Sequence, residues 1–392
     1  MTPLHGTFVL DLTRVLSGPY CTMILADLGA RVVKVEQPGK GDDTRAWGPP
    51  FVSGESAYFL SINRNKESVT LDFKQPEGRA ILEELIAKAD VLVENFRPGT
   101  LRKLDLDYPS LADRFPRLVF CSVSGFGQTG PRASEPGYDA VMQGEGGLMS
   151  ITGEADGAPY RLGVAIADIV SGMFAAQGVT AALLARERTG RGQHVDIGML
   201  DSVTALLTYQ AGIYFATGKA PGRLGNRHPT IVPYETFAAA DGDFVLAVGN
   251  DALWLAFCRV AQLDLGERYA TNRDRVAHYG ELRPKIAERL ATRTRAHWLA
   301  ELTAAGVPCG SVRDLAELFA DPQIAARHMV ADVTHETIGR WPVLGTPIKL
   351  SDTPASIRSA PPTLGQHTAP LIEGELGRSR DELEALRRKG IV

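Results

Sequence analysis

The sequence lacks the short motifs that mark several common enzyme classes. It contains no C-x-x-C, H-E-x-x-H, G-x-x-x-x-G-K-[ST] or G-x-S-x-G, which disfavours zinc ribbons, zinc proteases, P-loop NTPases and α/β-hydrolases. The glycine pattern at residues 125–130 (GFGQTG) follows a predicted strand, but Pro131 and a loop come next, not the helix that a phosphate loop needs. The 4 cysteines and 8 histidines are dispersed. The sequence therefore predicts neither a metal site nor a resident cofactor.

Neither a surplus of basic charge nor a long apolar run is present. Lys plus Arg is 42 and Asp plus Glu is 46, so the net charge is -4 and no basic footprint indicates a nucleic-acid partner. No uninterrupted run of 18 or more apolar residues occurs, which predicts that no segment spans a membrane. Dispersed thiols and an N-terminus without a basic region ahead of an apolar run predict a cytoplasmic protein.

What the sequence does have is an alternation of strand and helix patterns over the first 125 residues. Short apolar runs predict strands at 7–12, 31–36, 68–73, 90–96 and 117–123. Several of these runs are apolar on both faces, as in a parallel sheet that helices cover on both sides. A polar, Gly/Pro-rich segment at 216–233 predicts a domain boundary, and a smaller α/β unit with an Asp-Gly hairpin turn follows it. The predicted fold class is α/β.

Asp168 stands at the start of a long apolar helix predicted over residues 168–188. One interpretation is an N-cap, since Asp is among the preferred N-cap residues. The other is a nucleophile, since the positive end of a helix dipole keeps a carboxylate ionised. The residues alone leave both interpretations open. Basic side chains near predicted strand ends, including Lys74, Arg97 and Lys103, suit either a phosphate-bearing ligand or a solvated surface.

Several segments, in the same order along the chain, resemble the family III CoA-transferases of the CaiB/BaiF type. They are residues 10–19 (LDLTRVLSGP), 28–36 (LGARVVKVE), 93–99 (VENFRPG), 137–147 (GYDAVMQGEGG), 189–196 (TGRGQHVD) and 364–368 (LGQHT). Within the family, residues 42–51 (DDTRAWGPPF) and 231–234 (IVPY) are most similar to the succinate–hydroxymethylglutarate (glutarate) CoA-transferases.

The resemblance implies a Rossmann-like large domain with a parallel sheet, a smaller α/β domain and extended linkers between them. The implied boundaries are 1–200 for the first part of the large domain, 201–233 for a helix and linker, 234–332 for the small domain, and 333–392 for a linker that returns to the large domain. Two protomers would interlock as rings in a homodimer. The implied activity moves CoA from an acyl-CoA, with succinyl-CoA as donor, to a small dicarboxylic acid through an aspartyl-CoA thioester. CoA is then a substrate, and no cofactor is expected.

By position, Asp168 matches the catalytic aspartate of the family. The resemblance assigns the CoA site to nine further residues: Arg14, Leu16, Leu71, Lys74, Asn95, Phe96, Arg97, Lys103 and Tyr138. The second carboxylate of a dicarboxylic acid needs a cation, and the candidates are Arg45, Arg227 and His228.

Two departures from other family branches bear on the reaction. Formyl-CoA transferase has His and Gln where this sequence has Arg14 and Leu16, which disfavours formate or oxalate. The racemase branch has an acid/base His where this sequence has Tyr138, and a phenol with a pKa of about 10 exchanges an α-proton poorly at neutral pH. An acyl-CoA racemase, another short-chain carboxylate CoA-transferase and an idle acyl-CoA-binding subunit remain the alternatives.

Overall fold

The computed structural model describes residues 1–392. Its strands are β1 Phe8–Asp11, β2 Arg31–Glu36, β3 Phe51–Val52, β4 Glu55–Ser56, β5 Lys66–Thr70, β6 Val91–Glu94, β7 Val119–Ser124, β8 His194–Gly198, β9 Tyr234–Ala239, β10 Gly242–Ala247, β11 Cys309–Ser311, β12 Val330–His335 and β13 Gly339–Leu344. The α-helices are α1 Ser17–Asp27, α2 Ala57–Ile62, α3 Pro76–Lys88, α4 Tyr108–Leu111, α5 Asp139–Glu145, α6 Leu148–Ile151, α7 Ile166–Thr189, α8 Met199–Leu206, α9 Thr208–Thr217, α10 Asp251–Ala261, α11 Asn272–Ala277, α12 Tyr279–Leu290, α13 Arg295–Ala304, α14 Leu315–Phe319, α15 Pro322–Ala326 and α16 Arg380–Arg388. Short 3-10 turns lie at Asp43–Ala46, Arg102–Leu104 and Glu267–Tyr269, and a π-helical turn at Pro370–Glu375.

Six strands form one parallel sheet in the order β5-β2-β1-β6-β7-β8. Counted along the sheet's own strands, this order is 3-2-1-4-5-6, the doubly wound arrangement of Rossmann folds. The order reverses between β1 and β6, and a crevice for ligands is expected outside the carboxyl ends of those two strands. The predicted α/β class with a parallel sheet is therefore confirmed, and the topology points to one edge of the sheet as the site.

Both faces of the sheet are buried because successive side chains point to opposite sides. On one face, Val9 and Val32 pack against α1 and α7. On the other face, Leu10 and Val33 pack against α3. The C-terminal tail also lies on this second face, through Leu371, Ile372, Leu383 and Ile391.

The chain divides into two compact units, each with its own core. The first comprises Met1–Leu148, Arg161–Gly212 and Pro322–Val392, and contains the parallel sheet. The second comprises Met149–Tyr160 and Ile213–Asp321. It has an antiparallel sheet in the order β11-β10-β9 with helices packed on it. Strands β9 and β10 form the predicted hairpin, with Gly242 opposite Ala239 in register.

Three local features were not predicted. The apolar stretch after β8 is two helices, α8 and α9, because Thr208 takes a left-handed conformation (φ 37) that ends the first. A hairpin of β12 and β13 spans residues 330–344. The short β3–β4 hairpin was also not predicted.

Helix α7 is the one helix that is long and apolar enough to cross a membrane by length and composition alone. It has 24 residues, and 50% of its most apolar window is buried within the fold. Core helices of folded domains meet the same criterion, and α7 packs on the sheet through Ala175 and Val179.

Candidate active site

Asp168 is the third residue of α7, not its N-cap. The N-cap position belongs to Ala165, which makes no side-chain capping hydrogen bond. The N-cap interpretation of Asp168 is therefore wrong, because the helix begins at Ile166, two residues before the carboxylate. In the first turn the carboxylate still lies in the field of the unpaired amides at the helix N-terminus.

The environment of Asp168 disfavours its charged form. Burial raises the pKa of Asp168 to about 7, and the nearby Asp139 carboxylate acts in the same direction. A hydrogen bond from the Ser17 hydroxyl, which donates to the Asp168 carboxylate, lowers the pKa and only partly offsets these effects. A carboxylate of raised pKa is a stronger base, and such groups are concentrated at functional sites.

Asp139 is held rigidly next to the start of α7. Its Oδ1 accepts a hydrogen bond from the Ala167 amide at 2.8 Å, and its Oδ2 accepts one from Gln143 Nε2 at 2.8 Å. Gln143 Oε1 in turn accepts from the Leu162 amide at 2.9 Å. The charge that raises the pKa of Asp168 is thus fixed in position by the first turn of α5 and by the backbone leading into α7.

Ser17 reaches Asp168 because α1 and α7 approach closely. Gly172 makes this approach possible, since a Cβ at that position would lie 2.5 Å from the Ser17 carbonyl oxygen. Ser17 is buried at the first position of α1. Neither Ser17 nor Asp139 was predicted; the only sequence signals were their adjacency to Leu16 and Tyr138.

The loop between β1 and α1 is fixed by side chains from the segments that follow β6 and β2. Arg14 is bracketed by Asn95, whose Oδ1 accepts from the Arg14 amide at 2.8 Å and whose Nδ2 donates to the Arg14 carbonyl at 2.7 Å. The Val15 amide donates to the Asp42 carboxylate at 3.2 Å. Val15 has φ 69, a left-handed conformation that is costly for a β-branched residue and persists only where the surroundings impose it.

A cavity of about 300 Å³ opens at this edge of the sheet, and we call it the Asp168 cavity. Six of the predicted site residues line it: Arg14, Asn95, Phe96, Arg97, Tyr138 and Asp168. The structure therefore brings together side chains from the ends of β1 and β6, from the start of α5 and from α7.

A second cavity of about 370 Å³, the Lys74 cavity, shares the Arg14, Phe96 and Arg97 side chains with the first. Leu71 and Lys74 complete the predicted set that lines it. Together the two cavities extend along the carboxyl ends of β1, β2, β5 and β6. Arg97 and Arg14, whose exposed side chain also pairs with Asp43 at 3.2 Å, supply positive charge to both. This arrangement suits a long ligand with phosphates near one end.

Two predicted CoA residues lie outside both cavities. Leu16 is buried and packs with Met23 and Ile62. Lys103 lies exposed in a 3-10 turn. Their predicted contacts with CoA remain predictions that these two cavities do not support.

Arg45 is occupied by another carboxylate. Its Nε and Nη2 donate to the two oxygens of Glu36 at 2.7 and 2.8 Å, and its guanidinium lies 3.6 Å from the centre of the Phe59 ring. Because the guanidinium already pairs with Glu36 in a bidentate manner, Arg45 serves the fold and is poorly placed to bind a substrate carboxylate.

Arg227 and His228 belong to the second compact unit. The Arg227 guanidinium lies 3.8 Å from the centre of the Tyr279 ring, and its Nε is buried without a hydrogen-bond partner. The His228 ring stacks on Tyr234 at 5.2 Å, and burial lowers the pKa of this histidine. They remain candidates for a substrate carboxylate.

Comparison with known proteins decides the family. The sequence model of CoA-transferase family III matches residues 4–368. The chain belongs to CoA-transferase family III. It is therefore an enzyme of the CoA-transferase kind, and the predicted family is confirmed.

Individual relatives cover nearly the whole chain. The succinate–glutarate CoA-transferase of Agrobacterium fabrum is 45% identical over 94% of this chain and 95% of its own length. The acetyl-CoA:oxalate CoA-transferase of Acetobacter aceti is 45% identical over 92% of each chain. The crystal structure of a CaiB/BaiF family protein from Brucella suis superposes with a TM-score of 0.85 at 45% identity, covering 96% of this chain and 99% of that one.

No group of three or more His, Cys, Asp or Glu side chains within residues 1–392 is placed to hold a metal ion. The four cysteines are all free, and Cys21 and Cys121 are buried. Burial raises the pKa of both of these thiols, so they are poor nucleophiles. Asp168 is thus the better candidate for the reacting group.

Proposed function

We propose that this enzyme transfers CoA from succinyl-CoA to a small dicarboxylic acid, with Asp168 as the nucleophile. The observation that carries the proposal is a half-buried carboxylate of raised pKa in a cavity at the switch point of a doubly wound sheet. The adjoining Lys74 cavity, with Lys74, Arg14 and Arg97, is the proposed site for the phosphate-bearing part of CoA.

The reaction proceeds in two halves that mirror each other. The Asp168 carboxylate attacks the thioester carbonyl, the C–S bond breaks, and a mixed anhydride and CoA thiolate form. The thiolate then attacks the Asp168 carbonyl carbon of the anhydride, giving an aspartyl-CoA thioester and releasing the donor acid as its carboxylate. The acceptor carboxylate repeats these steps in reverse. A carboxylate suits this work because it acts as nucleophile and as leaving group with closely matched energies.

The acceptor is proposed to be a dicarboxylate because the names of both relatives contain one, glutarate in one case and oxalate in the other. The oxalate relative, as similar to this chain as the glutarate relative, keeps oxalate among the acceptors to be tested although Arg14 and Leu16 disfavour it. The distal carboxylate needs a cation, and Arg227 is the proposed partner; His228, whose pKa burial lowers, is proposed as a neutral hydrogen-bond donor to the same carboxylate.

An acceptor screen tests the proposal. With succinyl-CoA as donor and mono- and dicarboxylic acids of two to six carbons as acceptors, we expect kcat/KM to be at least about tenfold higher for the best dicarboxylate than for any monocarboxylate, because a second carboxylate paired with a cation adds binding energy. Formation of each acyl-CoA is followed by chromatography. A preference for a monocarboxylate would contradict the dicarboxylate assignment. Deuterium uptake at the α-carbon without any acceptor would favour the racemase alternative instead.

We also propose that the enzyme is a homodimer of interlocked chains. The apolar side chains of Val164, Met173 and Leu184, on or just before α7, are exposed on this chain, and burying them against a partner would remove apolar surface from water. Light scattering should give about twice the chain mass of 42.2 kDa. Since interlocked chains cannot separate without unfolding, two differently tagged preparations should not exchange subunits on mixing. A monomer mass, or rapid exchange, would contradict the proposal.

A further inference from the structure

The segment Asn95–Pro98 follows β6 and stands between the two cavities described above. Phe96 and Arg97 line both of them, and Asn95 holds the backbone of Arg14 with two hydrogen bonds. The conformation of this segment therefore governs the shape of the whole proposed CoA site. The segment itself is held by Glu94, a residue that takes no part in the proposed mechanism.

Glu94 is the last residue of β6 and is only 6% exposed. Its Oε2 accepts a hydrogen bond from the Phe96 amide at 2.9 Å. The Ser122 side chain on β7, which is paired with Glu94 in the sheet, hydrogen-bonds the same carboxylate. No lysine, arginine or histidine lies within ion-pair distance of Glu94, so a buried carboxylate without a countercharge holds the CoA segment.

A third cavity of about 180 Å³, the His194 cavity, lies on the other side of the segment and is lined by Glu94, Ser122 and His194. Ser122 Oγ lies 3.0 Å from His194 Nε2, and the His194 ring stacks on Tyr108 at 5.0 Å. Glu94, Ser122 and His194 thus form a continuous chain of polar groups across β6, β7 and β8.

The charged groups around this chain come from every element that surrounds it. The segment after β6 contributes Arg97, and the 3-10 turn that follows it contributes Arg102. The N-cap of α4 is Asp107, and β8 contributes Asp196. Burial raises the pKa of Glu94 to about 7 and Asp196 acts in the same direction, while Ser122 and the Phe96 amide act against them. Burial lowers the pKa of His194, so that ring is neutral when Glu94 titrates.

We propose that Glu94 is a positioning residue for CoA: its ionised carboxylate fixes the Phe96 amide and with it the CoA-binding segment, and protonation of Glu94 releases that segment and weakens CoA binding. The inference rests on the proposed function for the identity of the ligand. Glu94 acts through the backbone of Phe96 and itself touches neither the thioester nor Asp168.

The test measures binding, not turnover, so that ionisation of Asp168 does not enter through the chemical step. The probe is 3′-dephospho-CoA, because a phosphate monoester titrates at a pKa of about 6 and would obscure the comparison. Calorimetry on the full-length enzyme at pH 6 and pH 8 should give a Kd about tenfold higher at pH 6 for the wild type, as expected for a group with a pKa near 7. Glu94→Gln cannot ionise and mimics the protonated carboxyl, whose hydrogen bond with the Phe96 amide is weaker than that of the carboxylate, so its Kd should be nearly the same at both pH values and close to that of the wild type at pH 6.

Two further variants complete the experiment. Glu235→Gln removes a comparably buried glutamate (5% exposed, paired with Arg283) in the other compact unit and should keep the wild-type pH response. Ser122→Ala leaves Glu94 in place but removes a hydrogen bond to its charged form, so the midpoint of the response should move up by about one pH unit. This variant keeps the inference testable if Glu94→Gln does not fold.

Several results would overturn the inference. They are a wild type that binds equally at both pH values or not at all, a Glu94→Gln variant that keeps the wild-type response, and an unshifted midpoint in Ser122→Ala. A wild type that shows the binding response but transfers no CoA would refute the proposed function and leave the role of Glu94 intact.

Discussion

Replacing Asp168 by asparagine or alanine is expected to reduce kcat for CoA transfer by at least about a thousandfold, because the reaction loses its nucleophile. Asparagine keeps the size of the side chain, so circular dichroism and thermal unfolding should resemble the wild type. The same variants should fail to form the covalent CoA adduct. In the wild type, hydroxylamine added during turnover should label the peptide that contains Asp168, as mass spectrometry would show.

Asp201 offers a matched control for this experiment. It occupies the third position of α8, as Asp168 does in α7, but its side chain is exposed. Asp201→Asn should therefore keep wild-type turnover and adduct formation. If Asp168→Ala retained turnover within about tenfold of the wild type, or the label appeared on another residue, the mechanism would be wrong.

The environment of Asp168 also predicts the pH dependence of the wild type. Burial and the Asp139 charge raise the pKa of Asp168 to about 7. Since only the carboxylate attacks, kcat/KM should be constant well above that pH and should fall by at least about tenfold per unit below it, more steeply where protonation of Glu94 also weakens CoA binding. A profile that is flat down to about pH 5 would mean that Asp168 keeps an ordinary pKa in the free enzyme.

Replacing Lys34 by methionine is expected to destabilise the fold by about 3–5 kcal/mol, because a buried carboxylate would lose its partner. Lys34 and Asp42 are fully buried, with 2.9 Å between Lys34 Nζ and Asp42 Oδ2, and Lys34 also donates to the Thr13 carbonyl at 2.8 Å. Although burial alone would raise it, Lys34 and Thr44 lower the pKa of Asp42 to about 2. Differential scanning fluorimetry should show a melting temperature lower by about 10 °C.

Two companion variants separate charge burial from general disruption. Lys40→Met removes a lysine that is 60% exposed and pairs with Asp43, and should cost less than about 1 kcal/mol. Lys34→Met combined with Asp42→Asn removes the uncompensated charge while keeping an acceptor for the Val15 amide, so it should recover part of the loss. Equal melting temperatures for Lys34→Met and Lys40→Met would contradict this account of the buried pair.

Much of the architecture follows from local sequence patterns. Apolar runs such as 31–36 and 117–123 correspond to β2 and β7 within one or two residues, and the Asp-Gly hairpin lies where it was predicted. These elements could be predicted because strand and helix periods are properties of neighbouring residues. The β12–β13 hairpin was missed because the interior of β13 contains Pro342, which normally argues against a strand.

The site was only partly visible in the sequence. The family resemblance identified Asp168, Arg14, Asn95 and Arg97 as site residues. The structure shows that these four residues line one cavity. The resemblance also assigned Leu16 to the site, although Leu16 is buried in the core. The need for a cation made Arg45 a candidate, although Arg45 already pairs with Glu36. A position in an alignment does not reveal whether a side chain is already occupied, since the partner lies on another element.

The sequence by itself determined the fold class, the family and the carboxylate proposed to react. Only the tertiary structure decided what surrounds that carboxylate. Asn95 holds Arg14 across 81 residues of chain, and Asp139 approaches the start of α7 across 28. The pKa of Asp168 depends on such approaches, because desolvation and Coulomb interactions depend on distances in space and not on separation along the chain.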